Sequence, residues 1–258
     1  MEYLIYIFAS LAGGVLVGMA GLTAAMVLTP ILGSACGWNG YDAVTMSLVA
    51  NVPSAIITSY TYYKNGNMDM KQGIPVSMSA FAGAVVGSWL GYLFSQVSEN
   101  GVSYAVIVMN LFLAIKYLKP AKPKAQPDTL TAQEQEKAKR KMILALVLGF
   151  LIGVECGFMG SAGGALMLMV LTLVLGMDAK KAVGTSSLVM TLVALTGAVS
   201  HLMMGARLEI VPAIVMTASC TLGAVVSSRF ANKVDDTTMN RAAAIVLILV
   251  SIASLLFG

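Results

Sequence analysis

The sequence predicts an all-α polytopic membrane protein built from two inverted-topology repeats, with glycine-broken or re-entrant helices in each half. Three observations carry that expectation. The 258-residue chain is 58% hydrophobic and only 11% charged, with a mean hydropathy of +0.83. A soluble domain carries roughly a quarter charged residues, so this chain lacks the groups to cover a wet surface. The charges also cluster, leaving apolar runs at 182–204, 210–228 and 242–257. Each run is close to the length that crosses a hydrocarbon core of roughly 30 Å as a helix. Finally, a shift of 139 residues overlays one half of the chain on the other.

The overlay rests on glycine. Gly14, Gly18, Gly21, Gly37 and Gly66 fall on Gly153, Gly157, Gly160, Gly176 and Gly205. Five of the eight glycines between Gly13 and Gly66 match, where chance would give about one. Ala43-Val44 falls on Ala182-Val183, and Ser47 on Ser186. After a one-residue slip, Gly83-Ala-Val-Val-Gly-Ser88 falls on Gly223-Ala-Val-Val-Ser-Ser228. The chain therefore reads as a first membrane repeat (1–118), a polar linker (119–140) and a second repeat (141–258).

Within the first repeat, two short segments (3–19 and 22–35) precede three longer ones (43–63, 73–97 and 102–118). A glycine-rich break joins the short pair, which reads either as two tilted spans or as a re-entrant hairpin. Either arrangement returns the chain to its starting side, so each half crosses an odd number of times. An odd repeat fused to its copy must be inverted in the membrane. In the linker, Pro120, Pro123 and Pro127 keep the chain extended, and Thr131 with Glu134 forms a capping box for a helix running through Lys137–Lys141.

Charge fixes an orientation. With the linker in the cytoplasm, the loops near 64–71, 180–181 and 229–241 are also inside, and together with 116–141 they hold 15 of the 16 Lys and Arg residues. Only Arg207 falls outside, and both termini are external. The expected location is the cell (inner) membrane, with lipid as a partner. The basic residues lie between hydrophobic segments, so the net charge of +4 does not read as a nucleic-acid surface. A porin-like barrel is excluded because the runs do not alternate. Cys36, Cys156 and Cys220 give no disulfide framework and no zinc signature, and no motif calls for a cofactor.

The two breaks are where chemistry is expected. In the first, Gly14, Gly18 and Gly21 are followed by Leu22, Thr23, Ala24 and Ala25. In the second, Gly153, Gly157 and Gly160 are followed by Ser161, Ala162, Gly163 and Gly164. Irregular backbone survives at membrane depth only where it is buried in protein or lines a cavity. The helix that follows presents free N–H groups and the positive end of its dipole, a site for a small anion. Helix packing is the competing role for such glycines.

The second pattern, followed by Ala182-Val-Gly-Thr185-Ser186, resembles the sulfite exporter TauE/SafE family, whose halves each carry a glycine-triplet segment and a later Thr-Ser element. The resemblance extends almost end to end, although Ala24-Ala25 stands where that pattern has two glycines. It implies a secondary transporter of a small sulfur-containing anion, such as sulfite, sulfoacetate or a similar organosulfonate, and not an enzyme. It also brings forward the hydroxyls of Thr185, Ser186 and Ser187 as donors to an oxyanion.

Further candidates follow from position. Glu155 is the only acid placed inside a membrane segment, and it is a candidate for carrying a coupling proton or bonding a neighbouring helix. His201, matched to Tyr62, is either a titrating gate or a hydrogen-bonded interfacial histidine. Asn51, two residues before Pro53, either satisfies the carbonyl that the proline frees or lines the path. Two rival functions stand beside the transporter: a passive anion channel, and an intramembrane serine hydrolase using Ser161 with His201 as base.

Overall fold

The computed structural model describes residues 2–97, 106, 132–161, 163–231, 245, 248 and 252. Every regular element among them is helical. In order they are α1 (Glu2–Ala20), α2 (Ala25–Ala35), α3 (Gly40–Lys64), α4 (Met70–Ser95), α5 (Ala132–Met159), α6 (Gly163–Met169) with a π-helical continuation at Val170–Val174, α7 (Ala179–Met203) and α8 (Ile210–Ala231). Six of these are long and apolar enough to cross a membrane: α1, α3, α4, α5 from Gln135 onward, α7 and α8. The chain is a multi-pass membrane protein. Apart from residues 106, 245, 248 and 252, the expected spans at 102–118 and 242–257, and the Thr131 end of the capping box, lie outside the described residues.

The sequence suggested two similarly short segments, and the structure separates them. α1 has 19 residues, about 28 Å at the α-helical rise and enough to cross, whereas α2 has 11 and reaches only about half that far. The two form a hairpin that closes on itself. Trp38 Nε1, just beyond α2, donates to Tyr6 Oη near the start of α1 at 3.3 Å, and the two rings meet edge to face. In the second half, α5 runs 28 residues without a break from the polar linker into an apolar span, as the helix expected through Lys137–Lys141 requires. α6 and its π turn lie back along Leu148, Leu151 and Ile152 of α5.

Local chemistry sets the boundaries. The side chain of Asn39 accepts from Tyr41 N at 2.9 Å to cap α3, and Asp69 caps α4 by accepting from Gln72 N at 3.1 Å. Among the described residues six glycines carry positive φ, and they form three pairs at the 139-residue spacing: Gly21/Gly160, Gly37/Gly176 and Gly66/Gly205. Each pair ends corresponding helices, where the left-handed conformation favours glycine.

The packing has the same exchange pattern. α1 lies on α8, and α5 lies on α4; α3 and α7 pack on each other, while α3 also touches α8 and α7 touches α4. A Cβ on Gly14 would overlap the Cys220 carbonyl, and one on Gly153 would overlap the Ala80 carbonyl. Gly83 likewise meets the Phe150 carbonyl, and Gly223 meets that of Leu11. Small residues let these backbones approach, which is how helices associate in lipid, where the solvent is as apolar as leucine. α3 and α7 form the centre, with 67% and 72% of their spans buried against 33–50% for the other four. The outer helices turn Trp89, Leu93, Leu144, Val147, Leu222 and Val226 outward, as a lipid-facing surface requires.

Candidate functional site

The two glycine breaks meet. Gly21 closes α1, its N–H donating to Val17 O at 3.0 Å, and Gly160 closes α5 in the same way onto Cys156 O at 2.7 Å. Between the breaks, Thr23 Oγ1 donates to the Ser161 carbonyl. Gly164 lies so close to the first break that a Cβ there would come within 2.5 Å of Gly21 O and 2.7 Å of Leu22 Cα. Ser186, reaching in from α7, has its Oγ 3.2 Å from Gly21 O and 3.1 Å from Gly164 O, so its one proton is shared between a carbonyl of the first break and one at the start of α6. Thr23, Ser161 and Ser186 are buried.

Asn51 serves the start of α2. Its Oδ1 accepts from Ala24 N at 2.9 Å, which satisfies one of the amides that a helix N-terminus leaves without an intrahelical partner. It does not bond the carbonyl that Pro53 frees, the structural role weighed from sequence.

The three hydroxyls of the Thr-Ser element separate. Thr185 Oγ1 accepts from Asp69 N at 3.0 Å, at the foot of α4, away from the breaks. Ser187 bonds its own helix, donating to Val183 O at 2.9 Å, though a Cβ on Gly21 would come within 3.3 Å of its Oγ. Only Ser186 joins the two breaks.

Glu155 sits half-buried one turn before the second break, with Ser161 Oγ 3.4 Å from its Oε1. His201 is buried, and both ring nitrogens are engaged. Nε2 lies 2.8 Å from Gly157 O, so it carries the proton, and Nδ1 lies 3.0 Å from Thr45 Oγ1. The hydrolase reading needs His201 to face Ser161, and these bonds turn it elsewhere. Tyr62, its match in the first half, donates to Gly18 O at 3.3 Å, and Gly18 is the match of Gly157. Tyr62 and His201 thus perform the same act, tying the last turn of α1 and of α5.

Sequence reasoning missed Tyr41. Its ring stacks on His201 with centroids 4.4 Å apart. It also forms the floor of a polar cleft of about 460 Å³ lined by Asn39, Asp42, Tyr92, Ser95 and Gln96. No sequence signal marks it, because its partner lies 160 residues away. Among the described residues, no group of three His, Cys, Asp or Glu side chains gathers as a metal site.

A family profile described as sulfite exporter TauE/SafE matches residues 6–254, across both breaks and all the described helices but the first residues of α1. The chain belongs to the sulfite exporter TauE/SafE family. It is similar to the probable membrane transporter protein YunE of Bacillus subtilis (strain 168), with 23% identity over 97% of this chain and 96% of that protein. It also resembles the probable membrane transporter protein YdhB of the same organism, at 23% identity over 74% of this chain and 75% of the relative. No solved structure matches. As a TauE/SafE protein the chain is a membrane transporter, and the glycine breaks that its sequence duplicates lie in contact at the centre of the helix bundle.

Proposed function

We propose that this TauE/SafE protein is a secondary transporter of a small oxyanion, sulfur-containing as in sulfite, sulfoacetate or a similar organosulfonate. The convergence of the two breaks carries the reading: Gly164 against Gly21 and Leu22, and Ser186 bonded to both. The α2 N-terminus supplies the positive end of a helix dipole, which stabilises an anion where cationic side chains would be costly. Because Gly164 sits directly on the first break, an anion passes only when the halves part, which favours a carrier over an open channel.

In this reading the halves, 1–118 and 141–258, are inverted copies that rock about α3 and α7. The polar cleft above Tyr41 is the external approach, and the linker is cytoplasmic. Glu155, close to Ser161, is placed to hold a coupling proton, and His201 serves as an anchor. Counterflow in proteoliposomes tests the proposal. Vesicles preloaded with excess unlabelled sulfite or sulfoacetate should transiently accumulate the labelled anion above equilibrium. Equilibration without overshoot would mark a channel, and no movement of either anion would overturn the substrate class.

A further inference from the structure

The breaks correspond in sequence, but their surroundings differ. Ala24 and Gly163 are counterparts at the 139-residue spacing, and so are Asn51 and Met190. Asn51 of α3 bonds Ala24 N, whereas at the second break Met190 Sδ stands 3.2 Å from where a Cβ on Gly163 would lie. The thiol of Cys156 stands there too, 2.9 Å from the same point. One break therefore carries a primary amide, and the other carries sulfur.

The amide's orientation is settled by its partner. A backbone N–H only donates, so the Asn51 oxygen must face Ala24 and the NH₂ must lie beside the same helix end. Asn51 is fully buried, and its Nδ2 has no hydrogen-bond partner. An unpaired buried donor is a cost that folding alone does not explain. Nor does capping explain it. Capping uses only the oxygen, and aspartate supplies the same oxygen with a charge that is costly at a fully buried position. What asparagine supplies and aspartate withholds is a neutral donor that does not repel an anion.

We infer that Asn51 is the side-chain donor of the anion site. Its Nδ2 donates to an oxygen of the small oxyanion and fixes that anion at the start of α2, so the two breaks contribute unequally. This rests on the proposal that the breaks bind the transported anion.

Calorimetric titration of the full-length purified protein at pH 8 with sulfite and with methanesulfonate tests it. Asn51→Asp keeps an acceptor for Ala24 N and replaces the donor with negative charge. Its affinity per folded molecule should fall at least about a hundredfold, and its melting temperature without anion should fall as well, because the carboxylate is buried. Should that variant fail to fold, Asn51→Ser removes the amide and leaves a small hydroxyl, and it should weaken binding about tenfold or more. Wild-type affinity in a folded Asn51→Asp or Asn51→Ser protein would overturn the role of Asn51 and leave the site itself standing. If the wild-type protein binds neither probe, the break-site reading fails with it.

Discussion

Gly153→Leu is expected to abolish the folded protein, and Gly14→Leu to do the same. A Cβ at either position falls on a backbone carbonyl of the facing helix, Ala80 for Gly153 and Cys220 for Gly14. Backbone cannot swing aside as the tip of a flexible side chain can. Separating α4 from α5, or α1 from α8, would undo two of the closest helix contacts among the described residues. Inserting even one methyl group into such a contact costs about 1–3 kcal/mol, a large share of a marginal stability. The milder Gly153→Ala and Gly14→Ala variants should therefore survive with lowered melting temperatures. They should lose similar amounts, because they fill equivalent contacts. Gly37→Ala is the comparator: no atom lies within 4 Å of its added Cβ, so only the left-handed backbone penalty of roughly 1–2 kcal/mol remains. Melting and size exclusion in detergent check all five. A Gly153→Leu protein that elutes and melts like wild type would contradict the packing described.

Labelling with a membrane-impermeant maleimide should divide the protein cleanly into two sides. In a chain whose three cysteines have been replaced, Gln96→Cys is expected to react in intact cells. Lys71→Cys and Lys139→Cys should react only after lysis. All three positions are exposed, so access to the reagent and not burial decides the outcome. The charge distribution carries this expectation, since basic loops are retained in the cytoplasm and Lys71 and Lys139 belong to the basic set. Reaction of Gln96→Cys and Lys139→Cys from the same side would remove the inverted arrangement of the halves.

The breaks were legible because glycine is the residue whose backbone freedom has no substitute. Gly21 and Gly160 had to be glycine at their positive φ, and their spacing survived duplication as a visible pattern. Gly14, Gly83, Gly153 and Gly223 were legible for a second reason, close approach in lipid. What the central helices touch was not legible. α3 and α7 show no one-sided apolar stripe, so periodicity names no inward face. Successive residues point about 100° apart on a helix. That rotation sends Ser186 to the breaks and its neighbour Thr185 to the foot of α4. The bond from Ala24 to Asn51 depends on the same rotation of α3, which is why the proline two residues on offered a local explanation that the fold did not use. The pairing of Tyr62 with His201 could be read from the overlay, but its reason, a donor for the carbonyl of Gly18 or Gly157, needed coordinates.

Thermal melting of the purified wild-type protein with methanesulfonate, set against its neutral isostere dimethyl sulfone, tests the central claim most directly. The two ligands have nearly the same size and differ in carrying a charged oxygen, so the comparison isolates what an anion site built on a helix N-terminus must recognise. At about 100 times its dissociation constant, a ligand that binds only the folded state adds about 2.7 kcal/mol. The account predicts a stabilisation of that order with methanesulfonate or sulfite and none with the sulfone. Equal shifts with the sulfone, or no shift with either anion up to saturating concentrations, would contradict it.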